Sequence, residues 1–436
     1  MQERIWTTHV GEHVGKEVRL AGWLHRFRQL SNVSFLILRD AKGLAQVVVE
    51  DGVLAERLGR LQHESVLELT GTVTGNPQAP GGVEVHRPVV SVLSEAAAPT
   101  PFDLFRPQIQ APLPTMLDHA AIALRHPRQR ALFRIAGASM RGFRETLRGL
   151  DFVEIQTPKI VGSATEGGAN VFTIDYMGRP AYLSQSPQLY KQMMVGVFER
   201  VFEVGPAFRA EPHDTPRHLN EFVSLDIEMG FIRDHRDVMA VLTRTLRGMV
   251  ESVREEAAEA VALLKLEEAL PRIPDQVPTL TFREALELIG RETGADLSHE
   301  EDFSPAHERW IGEWGRREHR SDVVYVTGYP TATKPFYTYP DPADPARTNS
   351  FDLIFRGVEL VSGGQRLHRH DDYLRAFAAR GMNAAAFEGF LEAFRHGMPP
   401  HGGFAIGLER WVARLVEAPN LRETTLFPRD LNRLSP

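Results

Sequence analysis

Between Val201 and Gly230 the chain reads VFEVGPAFRAEPHDTPRHLNEFVSLDIEMG. Two apolar, strand-like runs, Val201-Phe202 and Phe222 to Met229, flank a loop crowded with Arg, Glu, His and Pro. Polar residues recur on the returning strand in the alternating DIE of Asp226 to Glu228, and successive side chains of a strand point to opposite faces. One face of this hairpin therefore carries charge where a buried strand should be bland. A solvated hairpin would account for any one of these features. Together, FRAE (Phe208 to Glu211), RHLNEF (Arg217 to Phe222) and DIE read as one wall of a site. Arg209 leaves an apolar strand and so points into whatever that strand lines, where a guanidinium suits bidentate binding of a phosphate or carboxylate.

A chain of 436 residues is too long for one small core, so two or three domains are expected. No run approaches the ~20 apolar residues that span a bilayer, and MQERIWTTHV has no apolar secretory core, so a cytoplasmic protein with no membrane partner is expected. The absence of cysteine rules out disulfides, thiolate nucleophiles and Cys-based zinc sites. A net charge of −7 argues against a general nucleic-acid binder. The local balance differs, with six cations against two anions from Lys16 to Lys42 and seven arginines from Arg125 to Arg148. Such strips suit a partner held in one orientation, although counting alone fits ordinary surface charge equally well.

Residues 15–92 read as short strands (KEVRLAGWL, VSFLILRD, LAQVVVE, SVLELTGTV, GVEVHRPVVSVL) separated by the turn signals AKG, GNP and PGG, the pattern of a small closed barrel. In an OB-type barrel one face stacks bases on aromatics within a cationic groove, and Phe35, Arg28 and Gln46 are candidates for it. An aromatic in a strand is more often core. Ala96 to Pro114 carries five prolines with little periodicity and reads as a stiff linker or hinge. The expected division is a barrel over 1–97, a linker over 98–127 and a larger domain over 128–436 with a small helical insertion at about 233–320.

In that larger domain, Leu132, Ile135, Ser139, Phe143 and Leu147 recur at helical spacing with arginines on the other face. FVEIQTPKIV follows as an extended strand whose Pro158 suits an edge or a bulge. SATEGGAN places Glu166 in a glycine-flanked loop with the make-up of a lid. In SQSPQLYKQMM, Ser186-Pro187 fits a helix start and sets Gln188 and Lys191 on one helical face, where a lysine is usually solvated. Residues 232 to about 320 are helix-rich and carry no chemical motif. NSFDLIFRGVELVSGGQRLH holds two strands joined across Arg356-Gly357. A two-residue loop makes Ile354 face Glu359 and puts Asp352 diagonally beside it on the same face. Carboxylates that converge in this way can share a cation, and Mg²⁺ fits hard oxygen ligands; an ion pair with a nearby arginine is the alternative. Arg366, after glycines that allow close approach of a ligand, offers a second cation beside Lys191. In FAIGLERWVARL a strand breaks at Gly407 into a helix, admitting an anion to the helix start with Arg410 in its first turn. His368 and His370 lack a third ligand at useful spacing and read as polar residues at the site mouth.

The Val201 to Gly230 stretch, the helix with FVEIQTPKIV, and GLER resemble motifs 2, 1 and 3 of the class II aminoacyl-tRNA synthetases, in the family's order. GWLHRFRQL, FLILRD and LAQVVV are similar to the anticodon-binding barrel of the aspartyl, asparaginyl and lysyl members, subclass IIb. SQSPQLYKQMM and GVELVSGGQRLH resemble the aspartyl members, and the compact insertion resembles the archaeal-type branch. The resemblance spans nearly the whole chain. It implies an α+β protein, an N-terminal OB-fold β-barrel followed by a class II catalytic domain whose antiparallel sheet is flanked by helices, forming a homodimer through motif 1. The implied activity is an aspartate–tRNA ligase that uses ATP, Mg²⁺, L-aspartate and tRNA(Asp).

By the same resemblance, Arg209 and Arg410 serve catalysis, and Glu211, Arg217, His218, Glu221, Phe222, Glu359 and Gly407 complete the ATP site. Glu166, Gln188, Lys191, Asp226, Ser362 and Arg366 bind aspartate, and Asp352, Glu359 and Ser362 hold the metal. Phe35 stacks on the central anticodon base while Arg28 and Gln46 read nearby groups. Lys191 and Arg366 aimed at one side chain favour aspartate, because neutral asparagine would leave them uncompensated at ~1–3 kcal/mol or more. The rivals are an asparaginyl or lysyl synthetase and a non-catalytic tRNA-binding paralogue. Archaeal-type members include strict forms and forms that also charge tRNA(Asn), a difference expected to turn on His25 and Pro77. A proline where a lysine would favour one anticodon points to the relaxed form.

Overall fold

The computed structural model describes residues 3–31, 33–162 and 170–436. Contacts divide the chain into two compact units, Met1–Arg130 and Ala131–Pro436. In the first, strands β1 (Glu17–Gln29), β2 (Ser34–Arg39), β3 (Leu44–Val49), β4 (Val66–Gly75) and β5 (Val83–Ser94) close into a barrel in the order β1-β2-β3-β5-β4. Helix α1 (Gly52–Gly59) follows β3 and is capped by the Asp51 carboxylate, which accepts from the amides of Val53 and Leu54. Period-2 patterning closes the barrel around Leu20, Leu24, Leu36, Leu38, Val47, Leu69 and Val85, all buried.

The register of β1 against β2 slips at His25, so that Leu24 pairs with Leu38 and Arg26 with Ile37. This extra residue inverts the alternation, turning Arg26 and Arg28 away from the barrel interior. The proline-rich stretch is a folded segment rather than a bare strut. Its short helices α2 (Leu113–Asp118) and α3 (Ala120–Ala123) accompany a small apolar cluster of Phe102, Leu104 and Ala123.

The second unit is built on an eight-stranded sheet in the order β12-β13-β14-β15-β16-β11-β10-β6. Its strands are β6 (Val153–Glu154), β10 (Arg200–Phe208), β11 (Glu221–Gly230), β12 (Thr279–Thr281), β13 (Val323–Thr327), β14 (Ser350–Phe355), β15 (Val358–Gln365) and β16 (His401–Gly407). The inner pairs are antiparallel, and the two edge pairs, β12 with β13 and β6 with β10, are parallel. A smaller sheet joins β7 (Ile160–Val161), β8 (Thr173–Tyr176) and β9 (Arg179–Leu183). FVEIQTPKIV pairs only at its two ends, in β6 and β7, since Pro158 between them has no N–H to give a ladder.

The helices of this unit are α4 (Pro127–Arg148, which begins in the first unit), α5 (Gln188–Phe198), α6 (His235–Glu256), α7 (Ala258–Leu264), α8 (Phe282–Thr293), α9 (Pro305–His319), α10 (His370–Ala379), α11 (Glu388–Arg395) and α12 (Leu408–Leu415). One sheet face is apolar: Leu225, Ile227, Phe351, Leu353, Phe404 and Ile406 pack with Ile135 and Phe143 of α4, Leu242 and Leu246 of α6, and Trp411 of α12. The segment expected as an insertion is thus largely built into the domain. The apolar stripe of α6 can leave water only against the sheet, and β12 extends that sheet at its edge. Among the described residues no helix is long and apolar enough to cross a membrane.

Candidate active site

Alternation along β11 divides its residues between two environments. Leu225 and Ile227 enter the core, while Phe222, Ser224 and Asp226 floor a cleft of about 320 Å³ on the other face of the sheet. At one end lies a buried charge cluster. Lys191, delivered by α5, places Nζ 2.8 Å from Asp226 Oδ1, 3.3 Å from the Phe404 carbonyl and 3.6 Å from Glu228 Oε2. Arg366 donates from Nε to Glu228 Oε1 at 3.0 Å and from Nη2 to the Gly403 carbonyl at 3.0 Å. A Cβ at position 403 would fall 2.3 Å from Glu228 Oε2, so glycine there makes room for this carboxylate. Gln188 lines the same end, and its buried Nε2 finds no hydrogen-bond partner among the described residues.

The opposite end is cationic. Arg209, Arg217 and His218 come from the β10–β11 loop, and Arg410 from the first turn of α12, where its Nη1 donates to the Glu359 carbonyl at 2.9 Å. The guanidinium of Arg209 lies 5.5 Å from the ring centre of Phe222. Burial lowers the pKa of His218, favouring a neutral ring.

Between the ends stands the β14–β15 hairpin. Arg356 and Gly357 both have positive φ, 48° and 74°, as the two-residue turn requires. Ile354 faces Glu359, but a bulge at Leu360 then shifts the register, so that Asp352 faces Ser362. The extra residue puts Glu359 and Ser362, of opposite parity, on the face that carries Asp352. Asp352 is paired with Lys334 at 2.9 and 3.1 Å, and Lys334 Nζ sits 3.8 Å from the ring centre of Tyr329. Burial, reinforced by the charge of Asp352, pushes the Glu359 carboxyl up to about 7, against the pull of Lys334 and Arg410.

Residues 113–431 match the model of the tRNA synthetases class II (D, K and N), and residues 18–93 match the OB-fold nucleic acid binding domain. The chain belongs to the class II tRNA synthetases. The synthetase is 45% identical to the aspartate–tRNA(Asp/Asn) ligase of Thermus thermophilus, over 99% of this chain and 100% of that one. It is 40% identical to the aspartate–tRNA(Asp) ligase of Thermoplasma acidophilum, over 97% of each chain. The structure of asparaginyl-tRNA synthetase from Pyrococcus horikoshii complexed with asparaginyl-adenylate superposes with a TM-score of 0.90 at 31% identity, covering 100% of both chains.

Most residues read from the synthetase's sequence meet in the cleft: Gln188, Lys191, Arg209, Glu211, Arg217, His218, Phe222, Asp226, Glu359, Ser362, Arg366, Gly407 and Arg410 line it. Asp352 stands behind Ser362 and is buried. Glu166 lies outside the described residues. Two expectations need correction. Glu221 is exposed and does not line the cleft, because it precedes Phe222 on β11 and alternation sends it to the other face. Lys191 and Arg366 are not spare cations, since Asp226 and Glu228 balance them charge for charge. Gly407, at φ −75°, has no side chain where it lines the cleft.

In the barrel, Arg28 pairs with Phe35 while Gln46 pairs with Ile37, two residues on, so all three share the outward face. Gln46 Nε2 donates to Glu84 at 3.2 Å. Pro77 is exposed in the β4–β5 loop. His25 is 7% exposed, its Nδ1 lying 3.1 Å from Arg39 Nη1, and burial and then Arg39 push its pKa down to about 4. The bulge turns this ring inward, where it lies against Arg39.

Several residues in or behind the cleft wall were not singled out by the sequence. Lys334 is a lone cation in a Pro and aromatic loop, and Glu308 one acid of an amphipathic helix. Glu409, whose two oxygens each lie 3.1 Å from the Val223 amide, is pushed up to about 7 by burial.

Proposed function

We propose that the protein is an aspartate–tRNA ligase of relaxed tRNA choice, joining L-aspartate to tRNA(Asp) and tRNA(Asn) at the expense of ATP. One observation carries the reading: a single cleft is lined by the buried Lys191 and Arg366 at one end and by Arg209, Arg217 and Arg410 at the other, with Glu359 beside Arg410 and Asp352 buried on the same sheet face. Such a cleft suits a small amino acid on one side and a polyphosphate on the other. The names of the full-length relatives, including the Thermus ligase for tRNA(Asp/Asn), support it.

In this reading the adenine stacks on Phe222 with Glu211 accepting from it, Arg209 binds the α-phosphate, and Arg217, His218 and Arg410 receive the β- and γ-phosphates. The α-carboxylate of aspartate attacks the α-phosphorus in line; its bond to the bridging oxygen breaks, and pyrophosphate leaves. The terminal ribose hydroxyl of tRNA then attacks the aspartyl carbonyl carbon and AMP leaves. Positioning and charge stabilisation carry both steps, so no protein nucleophile is called for. Asp352, Glu359 and Ser362 fit a hard divalent cation that would take the place of Lys334 on Asp352: the carboxylates share one face, and Glu359, its pKa raised by burial and then by Asp352, gains from a nearby positive charge. Bound there, Mg²⁺ supplies positive charge to the triphosphate. Among the described residues no group of three or more His, Cys, Asp or Glu side chains is arranged for a metal. A homodimer built on α4 and β6 belongs to the same proposal, in keeping with the exposed Val153 of β6.

Asparagine is the second candidate substrate, favoured by the charge balance that Asp226 and Glu228 impose on the cations. Pyrophosphate exchange with aspartate, asparagine and lysine separates the options. Exchange with asparagine or lysine but not aspartate overturns the substrate, and no exchange with any of them supports a non-catalytic tRNA-binding protein. Charging of pure tRNA(Asp) and tRNA(Asn) transcripts tests relaxed choice, which a strong preference for the first refutes.

A further inference from the structure

We propose that Glu308 is a positioning residue that couples Glu359 to Arg217, an inference that rests on the reading of the cleft as an ATP site. Helix α9 starts at Ser304, whose hydroxyl accepts the His307 amide, with Pro305 in its first turn. Glu308 follows and is 8% exposed. Its Oε2 accepts twice, from the backbone N–H of Glu359 at 2.8 Å and from Nη2 of Arg217 at 3.0 Å. One oxygen thus ties a helix, the strand of a proposed metal ligand and the loop of a proposed phosphate ligand.

Two features of the chain put the carboxylate there. Gly312 lies one turn beyond Glu308 on the same helical face, and a Cβ at that position would come within 2.4 Å of the Gly357 amide nitrogen. Glycine therefore lets α9 lie against the hairpin turn, with Glu308 alongside the first residues of β15. The bulge at Leu360 interrupts the β14–β15 ladder next to Glu359, and the Glu359 amide takes its acceptor from the helix instead.

Glu308 serves the two partners differently. Toward Glu359 it is a fixed acceptor that sets the backbone from which the carboxylate projects. Toward Arg217 it is an anion that holds the guanidinium at the cleft wall, on a side chain 40% exposed. Pairs this solvated are weak enough to exchange. A polyphosphate arriving in the cleft competes with Glu308 for the same Nη2, so the pair opposes ATP binding while keeping Arg217 within reach of the outgoing phosphates.

Glu308→Gln, which keeps an acceptor for the Glu359 amide and removes the charge, is the direct test. Measured by pyrophosphate exchange with aspartate, it is expected to lower KM for ATP about two- to five-fold, the range of a partly exposed ion pair, with kcat and melting temperature unchanged. Equilibrium dialysis of ATP without amino acid is expected to show the same tightening. In an Arg217→Ala background the Glu308→Gln change is expected to have no effect. Unchanged KM and ATP affinity in Glu308→Gln, or an equal gain in the Arg217→Ala background, overturns the coupling; the latter would mean general repulsion between Glu308 and phosphate. Lack of exchange by the unaltered protein refutes the ATP-site reading itself, whereas intact exchange with an unresponsive Glu308→Gln sinks only the coupling.

Discussion

The ammonium of Lys191 lies 2.8 Å from the carboxylate of Asp226, and both side chains are only 2% exposed. Glu228 and Arg366 extend the pair to two cations and two anions in one buried cluster. Any choice of aspartate must then come from where the cations point rather than from spare charge. Lys191→Met would leave two buried carboxylates facing one guanidinium. Breaking a buried pair from one side costs ~3–5 kcal/mol, so both melting temperature and activation should fall. The charge imbalance disfavours an incoming carboxylate more than an amide. Pyrophosphate exchange should therefore lose at least ~100-fold in kcat/KM with aspartate and distinctly less with asparagine. Equal losses for both amino acids would make Lys191 a purely structural residue.

In the proposed metal site, Glu359 would tie metal affinity to pH. Its carboxyl, pushed up to about 7 by burial and then by Asp352, holds a proton in the folded protein where the unfolded chain, titrating near 4.5, has released it. The contribution to stability is therefore present at low pH and lost as pH rises from about 4.5 to about 7. A divalent cation must displace that proton. Binding of Mg²⁺ to the apoprotein, followed by calorimetry, should tighten as pH rises through this window and then level off. Glu359→Gln should bind the ion weakly and without that pH dependence; an unaltered pH profile in the variant would remove Glu359 from the metal site.

Glu409 predicts a stability gain by substitution. It is 6% exposed, burial pushes its pKa up to about 7, and its carboxylate meets only backbone amides, its own and that of Val223. At pH 8 the folded state carries a buried charge with little to compensate it. Glu409→Gln keeps the acceptor without that charge, so it should stabilise the protein at pH 8 by on the order of 2 kcal/mol and have little effect at pH 5. Thermal melts of both proteins at the two pH values would check this, and a variant less stable at pH 8 would contradict it.

What could be read from the chain alone was local. The turn at Arg356-Gly357 and the β11 face follow from turn chemistry and period 2, and the structure keeps both. The misplaced Glu221 and the unforeseen bulge also have local causes. Alternation already separates Glu221 from Phe222, and the bulge at His25, which decides the faces of Arg26 and Arg28, has no marker such as glycine. Other relationships form only when distant segments meet. Lys191 and Asp226 are 35 residues apart, Lys334 and Asp352 18, and Arg217 and Glu308 91. A lone acid on an amphipathic helix such as α9 looks like any solvated glutamate until Gly312 brings the helix onto the hairpin.

The barrel separates tRNA binding from activation in a testable way. Phe35 is half-buried on the outward face beside Arg28 and Gln46. Stacking of a base on an aromatic is worth ~1–3 kcal/mol, so Phe35→Ala should raise KM for tRNA by about 5- to 150-fold. Pyrophosphate exchange, which involves no tRNA, should stay within about two-fold of the unaltered protein, because independent sites contribute independently. Pro77, exposed in the β4–β5 loop, offers the complementary gain of function. Pro77→Lys adds a cation where the loop has none, and should shift the ratio of tRNA(Asp) to tRNA(Asn) charging toward tRNA(Asp), by about five- to ten-fold if one new contact favours one anticodon. A change in overall charging with the ratio held constant would show that the lysine adds only unspecific attraction to phosphate, and would remove Pro77 from the discrimination.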